Sequence, residues 1–185
     1  MPDFFRGNCD NPNGYCNITG IKPCKSISTA IRFGIIDDLT EGDQPAFIQE
    51  YQEDDWDVIV NKKSENRYEV TFKAIDKCLE FPEPINPNEE NSRCDGMLTF
   101  DDYLIFVEIK YRTDSEYSAK AKKQLSRTIH VFNESHGLAD YRIRRAYISN
   151  RAKPQAPEFS LTETEKFADE NLGFDLYRTA QIDLP

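Results

Sequence analysis

The residues of this chain that can do chemistry are two acids and a lysine beside apolar runs. Asp95 precedes the run Gly-Met-Leu-Thr-Phe, and Glu108 and Lys110 end the run that begins at Tyr103. Carboxylate oxygens are hard ligands that suit Mg²⁺ or Mn²⁺. A bound divalent cation activates water and stabilises charge on a phosphoryl oxygen, and a neighbouring ammonium stabilises developing negative charge. These residue types therefore indicate metal-assisted hydrolysis.

A β-hairpin is predicted to bring these three side chains together. The pattern indicates strands at 94–100 and 103–111, and a two-residue turn between them places Asp95 directly opposite Glu108. Because side chains alternate along strands, Lys110 shares their face. Opposed carboxylates repel each other, so burying them calls for a cation. The alternative is a surface hairpin with an ordinary Glu–Lys pair and a solvated Asp95, and a slip of one residue would move Asp95 to the other face.

The elements around the hairpin follow from the periodicity of apolar residues. We expect mostly helix over 26–52, strands at 56–61, 67–75 and 141–149, a loop over 81–91, an amphipathic helix over 115–135 and a closing helix over 160–171. The strand at 103–111 is apolar on both faces, which predicts a central position. The order predicts one domain of the α/β (α+β) class, 1–185, with a mixed central sheet flanked by helices. Residues 1–25 read as an irregular N-terminal arm.

These motifs resemble the PD-(D/E)xK phosphodiesterase superfamily, whose members have the restriction-endonuclease-like fold. Asp95 matches the first acid, here in Cys-Asp-Gly rather than Pro-Asp, and Glu108-Ile109-Lys110 matches the second motif. Gln124 matches the glutamine that the following helix often supplies. The resemblance covers residues 56–150 and implies a nuclease-like core there.

The resemblance also implies a role for each of these residues. Asp95, Glu108 and the carbonyl of Ile109 would bind Mg²⁺ or Mn²⁺. Lys110 would assist the attacking water, and Gln124 would support the site. The implied activity is that of a metal-dependent nuclease, which hydrolyses nucleic-acid phosphodiester bonds by a metal-activated water.

Two features depart from the pattern of the superfamily. Thr128 stands where the exonuclease branch has tyrosine, which argues against membership of that branch. Many members also carry a further glutamate upstream of the first strand, and both Glu41 and Glu50 are candidates for it.

The distribution of charge predicts a partner more clearly than the net charge does. The chain carries −10 overall, but residues 108–153 hold 11 Lys or Arg against 5 Asp or Glu. We expect the basic segment 110–153 to bind the phosphates of a nucleic acid, with DNA favoured over RNA. The candidate contacts are Lys120, Lys123, Arg142, Arg144 and Arg145. The oligomeric state is open, and a homodimer is one candidate because many nucleases of this type dimerise.

A function of a different class is also open. The residues outside 108–153 hold 28 Asp or Glu against 12 Lys or Arg. Such an acidic surface suits a non-catalytic module that keeps the nuclease fold and binds a protein or acts as a regulatory domain.

The cysteines and the apolar residues indicate the setting of the protein. Five cysteines, an odd number without a Cys-x-x-Cys pair, predict buried or free thiols and favour the reducing cytoplasm. No apolar run is long enough to span a membrane, and we expect no signal peptide.

Overall fold

A computed structural model describes Phe4 and residues 24–37, 44–51, 53–63, 68–84, 90–112, 116–152 and 157–185. Ten strands and two α-helices occur in these ranges. The strands are β1 (Lys25–Ser28), β2 (Arg32–Ile36), β3 (Phe47–Gln49), β4 (Val58–Lys62), β5 (Val70–Ala74), β6 (Gly96–Phe100), β7 (Tyr103–Lys110), β8 (Ile143–Asn150), β9 (Asp175–Arg178) and β10 (Gln181–Leu184). The helices are α1 (Tyr117–His136) and α2 (Leu161–Glu170). The predicted mixed class of helices and strands is confirmed.

The larger of two mixed sheets has six strands, in the order β1-β5-β6-β7-β8-β9. Strand β7 pairs antiparallel with β6 and parallel with β8. Its residues Leu104 to Ile109 are all buried, which confirms the prediction of a central strand covered on both faces. The hairpin register is also confirmed, because Phe100 pairs with Tyr103 and Gly96 pairs with Val107.

Helix α1 covers one face of this sheet. Its predicted apolar face is buried, and the Phe132 ring meets the Phe106 ring of β7 edge-on at 5.6 Å between centroids. The predicted closing helix is α2, whose N-cap Ser160 accepts a hydrogen bond from the Glu163 amide at 3.3 Å. Strands β9 and β10, which follow α2, were not predicted from the sequence.

The second sheet has the order β10-β4-β2-β3 and lies against the opposite face. The Ser149 hydroxyl of β8 donates to the Asp57 carbonyl, which precedes β4, at 2.7 Å. The prediction of helix over 26–52 is wrong, because β1, β2 and β3 lie in this range. The run Arg32–Ile36 is short and apolar, and such a run fits a buried strand as well as a buried helix.

A disulfide bond joins Cys24, just before β1, to Cys78, in the turn after β5. The expectation of free thiols is therefore wrong for these two residues, whereas Cys94 is free and buried. Cys9 and Cys16 lie outside the described residues, as does most of the predicted arm over 1–25. No helix within the described ranges is long and apolar enough to cross a membrane.

Gly34 in β2 makes room for the Trp56 side chain. A Cβ atom at position 34 would lie 2.0 Å from Trp56 Cγ. The indole nitrogen donates to the Gln49 side chain and to the Tyr51 carbonyl, both at 3.2 Å. The tryptophan therefore ties the start of β4 to β3 across a glycine.

Gly34→Ala is expected to lower the free energy of unfolding by about 1–3 kcal/mol, the usual cost of overpacking. Urea denaturation measures the loss, and the emission of Trp56, the only tryptophan of the chain, reports its displacement by a red shift. Ile27→Ala, at an exposed position of β1, serves as the control. Wild-type stability and emission in Gly34→Ala would contradict the packing described.

Candidate active site

The hairpin brings Asp95 and Glu108 together at one end of the larger sheet. Asp95 lies one residue before β6, and its carboxylate accepts a hydrogen bond from the amide of Ile109 in β7. Asp95 is 8% exposed and Glu108 is 0% exposed. Two carboxylates are thus buried at neighbouring positions of a central strand pair.

Lys110 and Gln124 complete this cluster. The Lys110 ammonium donates to the Glu108 carboxylate and, at 2.8 Å, to Gln124 Oε1 of α1. Gln124 Nε2 donates to the carbonyl of Arg93 at 2.9 Å. The amide of Gln124 is therefore oriented with its oxygen toward the lysine, and four side chains named from the sequence lie together.

When Asp95 and Glu108 are both ionised, the cluster carries more negative charge than its single ammonium offsets. Glu108 Oε2 is buried, and no hydrogen-bond donor reaches it from the described part of the chain. Burial raises the pKa of Glu108 to about 8. Burial and the Glu108 charge raise the pKa of Asp95 well above its usual value. Although burial alone lowers the pKa of Lys110, the neighbouring carboxylates raise it above its ordinary value.

Thr128 fixes α1 to the strand that carries Asp95. Its hydroxyl accepts a hydrogen bond from the Cys94 amide at 2.9 Å and donates to the Gln124 carbonyl at 2.9 Å. Thr128 is fully buried. This residue, which occupies the place of a tyrosine in the exonuclease branch, thus links Cys94 and Gln124. The sequence showed that position 128 departs from the superfamily pattern, but it did not predict this hydrogen bond.

Of the two upstream glutamates that were candidates for a further acid, the structure describes Glu50 and not Glu41. Glu50 accepts a hydrogen bond from the Ser28 hydroxyl at 2.7 Å, and the Lys62 ammonium contacts the Ser28 carbonyl at 3.3 Å. Glu50 therefore lies near Lys62, at the end of β4. The residue that precedes β4, Asp57, is the one that contacts β8. Glu50 thus lies at the other end of β4 and does not join the cluster. Glu41 lies outside the described residues.

The three arginines named as candidate phosphate contacts, Arg142, Arg144 and Arg145, lie away from the cluster. They stand at the beginning of β8, whereas Asn150, at the end of that strand, pairs with Lys110. Arg144 donates to the carbonyls of Tyr141, Leu138 and Leu172. Arg142 pairs with Asp102, and Arg145 lies 5.8 Å from the rings of both Tyr103 and Tyr177. These arginines therefore lie at the opposite end of β7 and β8 from Lys110, and their binding of phosphate stays a prediction.

The two lysines named as candidate phosphate contacts lie on α1. Lys120 and Lys123 line an open groove along α1 that is shared with α2. Both lie within one helical turn of Gln124 in sequence. Their neighbour Lys122 pairs with Glu163 of α2 at 3.3 Å. The groove is thus of mixed charge, because Glu90, Glu116, Glu163 and Glu170 also line it.

No family model, curated protein or solved structure matches this chain. The assignment of the site therefore depends on its geometry and on the short motifs. In the described ranges, no group of three or more His, Cys, Asp or Glu side chains is arranged to hold a metal ion. Asp95 and Glu108 form a two-acid set, and any cation there would need backbone or solvent oxygens as further ligands.

Glu108→Gln is expected to stabilise the protein in EDTA by about 1–3 kcal/mol at pH 8, because it removes a buried charge that lacks a full set of partners. The pKa of Glu108 is about 8 in the folded protein and 4.5 ordinarily. The folded state therefore binds the proton more tightly, and wild-type stability rises as the pH falls from about 8 toward 4.5.

Thermal melts between pH 5 and 8.5 measure this effect, and Glu108→Gln should flatten the pH dependence. Glu134→Gln, at an exposed position of α1, is the matched control. A Glu108→Gln protein that is less stable than wild type at pH 8 in EDTA would contradict the charge imbalance.

Proposed function

We propose that this chain is a metal-dependent nuclease with a restriction-endonuclease-like core, which hydrolyses nucleic-acid phosphodiester bonds. One observation carries the proposal. The Glu108 carboxylate is fully buried beside Asp95, and one of its oxygens has no donor among the described residues. A domain without a ligand at this point has no physical reason to keep this costly arrangement.

The donor set fits Mg²⁺ or Mn²⁺. Asp95, Glu108 and the carbonyl of Ile109 offer hard oxygen ligands, which these cations prefer to nitrogen or sulfur. Mg²⁺ is commonly held by one or two carboxylates and keeps several waters, so two acids are sufficient. When bound, the cation would supply an activated water and stabilise charge on a phosphoryl oxygen.

The remaining residues of the cluster act on charge and orientation. The Lys110 ammonium, which contacts Glu108 and Gln124, stabilises negative charge that develops during attack on the phosphorus. Gln124 is a positioning residue, because its bond to the Arg93 carbonyl presents its oxygen to the lysine. Thr128 holds this part of α1 in place.

The basic residues of the segment 110–153 support a nucleic acid as the substrate, with DNA favoured. Lys120 and Lys123 lie beside Gln124 in sequence and line the groove. Phosphate contacts from such lysines do not depend on base sequence and weaken as salt rises. The acidic remainder of the surface repels nucleic acid and would confine it to this face.

Asp95→Asn is expected to abolish the binding of Mn²⁺, because it removes one of two carboxylate ligands. Calorimetric titration of Mn²⁺ and Mg²⁺ into the full chain measures binding, and Asp102→Asn, in the hairpin turn, controls for the loss of one acid. Equal binding by wild type and Asp95→Asn would contradict the site.

Lys110→Met is expected to slow divalent-dependent cleavage of DNA by about 10²–10³-fold, because the developing charge loses its ammonium. Cleavage of labelled single- and double-stranded DNA and RNA is measured with and without EDTA. Lys63→Met, at an exposed position after β4, is the control. Wild-type protein that binds no cation and cleaves no substrate would instead favour the non-catalytic module.

A further inference from the structure

The disulfide bond between Cys24 and Cys78 lies beside the strand that carries Asp95. Cys24 directly precedes β1, and its carbonyl accepts a hydrogen bond from the amide of Ala74, the last residue of β5, at 2.8 Å. Cys78 belongs to the turn of residues 75–79 (the Cys78 turn), and 54 residues separate the two cysteines along the chain. The bond therefore fastens this turn to β1, at one end of the strand order of the larger sheet.

The Cys78 turn pairs with the backbone of Asp95 and of the residue before it. The amide of Ile75 donates to the Asp95 carbonyl at 2.8 Å, and the amide of Asp76 donates to the Cys94 carbonyl at 3.1 Å. The turn thus extends the pairing of β5 with β6 to the first acid of the cluster. A movement of the turn therefore displaces the backbone that positions the Asp95 carboxylate.

A second set of contacts connects the Cys78 turn to Gln124. The Arg93 guanidinium contacts the Asp76 carboxylate at 3.4 Å and donates to the Leu79 carbonyl. The carbonyl of Arg93 accepts from Gln124 Nε2 at 2.9 Å, and Gln124 Oε1 accepts from the Lys110 ammonium. The turn is therefore connected, through Arg93, to the lysine of the cluster as well as to one of its acids.

The conformation of the turn depends on contacts with the rest of the chain. Lys77 has a φ of 61°, in the left-handed region that is unfavourable for residues other than glycine and asparagine. Its ammonium donates to the Gln44 carbonyl at 3.2 Å. Cys78 follows Lys77 directly, and its bond to Cys24 adds a covalent contact. Breaking this bond therefore releases an unfavourable backbone conformation next to the cluster.

A thiol reaches this disulfide at Cys78 more readily than at Cys24, because Cys78 is 8% exposed and Cys24 is 1% exposed. The thiolate of a dithiol reductant forms a mixed disulfide with Cys78 and releases the Cys24 thiolate, which takes up a proton. The second thiol of the reductant then displaces the Cys78 sulfur and closes a cyclic disulfide. The protein gains two electrons and two protons, and the dithiol loses the same number.

We propose that the Cys24–Cys78 disulfide is a redox-sensitive tether that controls the two-acid cluster. The intact bond holds the Cys78 turn against Asp95 and Arg93. Reduction releases the turn, and the cluster then binds a divalent cation more weakly, an effect that rests on the proposed function. A chain of 185 residues with a core that spans both sheets does not need a disulfide to fold, so reduction acts locally.

The test compares the oxidised full chain with the same protein reduced by dithiothreitol. Hydrogen–deuterium exchange, measured by mass spectrometry, should become faster in residues 75–79 and 93–97 on reduction, because the hydrogen bonds between them open. Exchange in β9, at the other end of the strand order, should not change. Reoxidation should restore the slow exchange.

Calorimetric titration of Mn²⁺ measures the effect on the cation site, after the reductant has been removed under an inert atmosphere. The reduced protein should bind Mn²⁺ about 10-fold more weakly, the lower end of the usual loss when groups that orient metal ligands are removed. The double variant Cys24→Ser with Cys78→Ser is the matched control. It should behave like the reduced protein, and dithiothreitol should change neither its exchange nor its affinity.

Several results would overturn the tether. These are equal exchange in the two forms, faster exchange with unchanged Mn²⁺ affinity, and a response to dithiothreitol that persists in the double variant. Loss of the whole fold on reduction, seen by circular dichroism, also overturns it, because the bond would then stabilise the fold in general. If the double variant does not fold, Cys24→Ala with Cys78→Ala replaces it. If the oxidised protein binds no Mn²⁺, the proposed function fails, and exchange alone decides on the tether.

Discussion

The burial of two carboxylates beside one ammonium is the constraint on which this end of the molecule depends. Strand β7 is central, so Glu108 is fully buried, and its charge must be offset by neighbouring side chains or a bound cation or be removed by protonation, which its raised pKa favours. Lys110 offsets one charge, and Gln124 of α1 accepts a hydrogen bond from its ammonium. The hairpin, helix α1 and the second sheet all contribute polar groups at this end of the larger sheet.

The sequence predicted the part of the site whose geometry is determined by neighbouring residues along the chain. A two-residue turn and the alternation of side chains determine the register of β6 and β7, so Asp95 and Glu108 could be placed opposite each other in advance. The amphipathic pattern of α1 likewise predicted which face packs on the sheet, whereas the place of Gln124 in the site came from the resemblance to the superfamily. These inferences need only neighbouring residues, and the register and the helix were confirmed.

The junction of the two sheets depends on contacts between distant residues, which no local pattern encodes. Asp37 and Asp57 are 20 residues apart, and Arg151 lies 94 residues from Asp57. The short run before Asp37 fits a helix as well as a strand, because its length and apolar content do not distinguish these two kinds of secondary structure. Counts of charge do not locate a binding surface, for a related reason. Arg144 is cationic, but its guanidinium binds backbone carbonyls, and composition does not indicate where a side chain points.

The contacts of Thr128, Gln124 and Lys110 lie within one continuous stretch, residues 93–128, whereas the contacts that join the two sheets involve Asp57, Tyr111 and Arg151. Substitutions at this junction of the sheets can therefore change its polar contacts while every residue of the motif stays the same. Two homologues with identical motifs could thus differ in how their sheets are joined, and a motif search would rank them as equivalent.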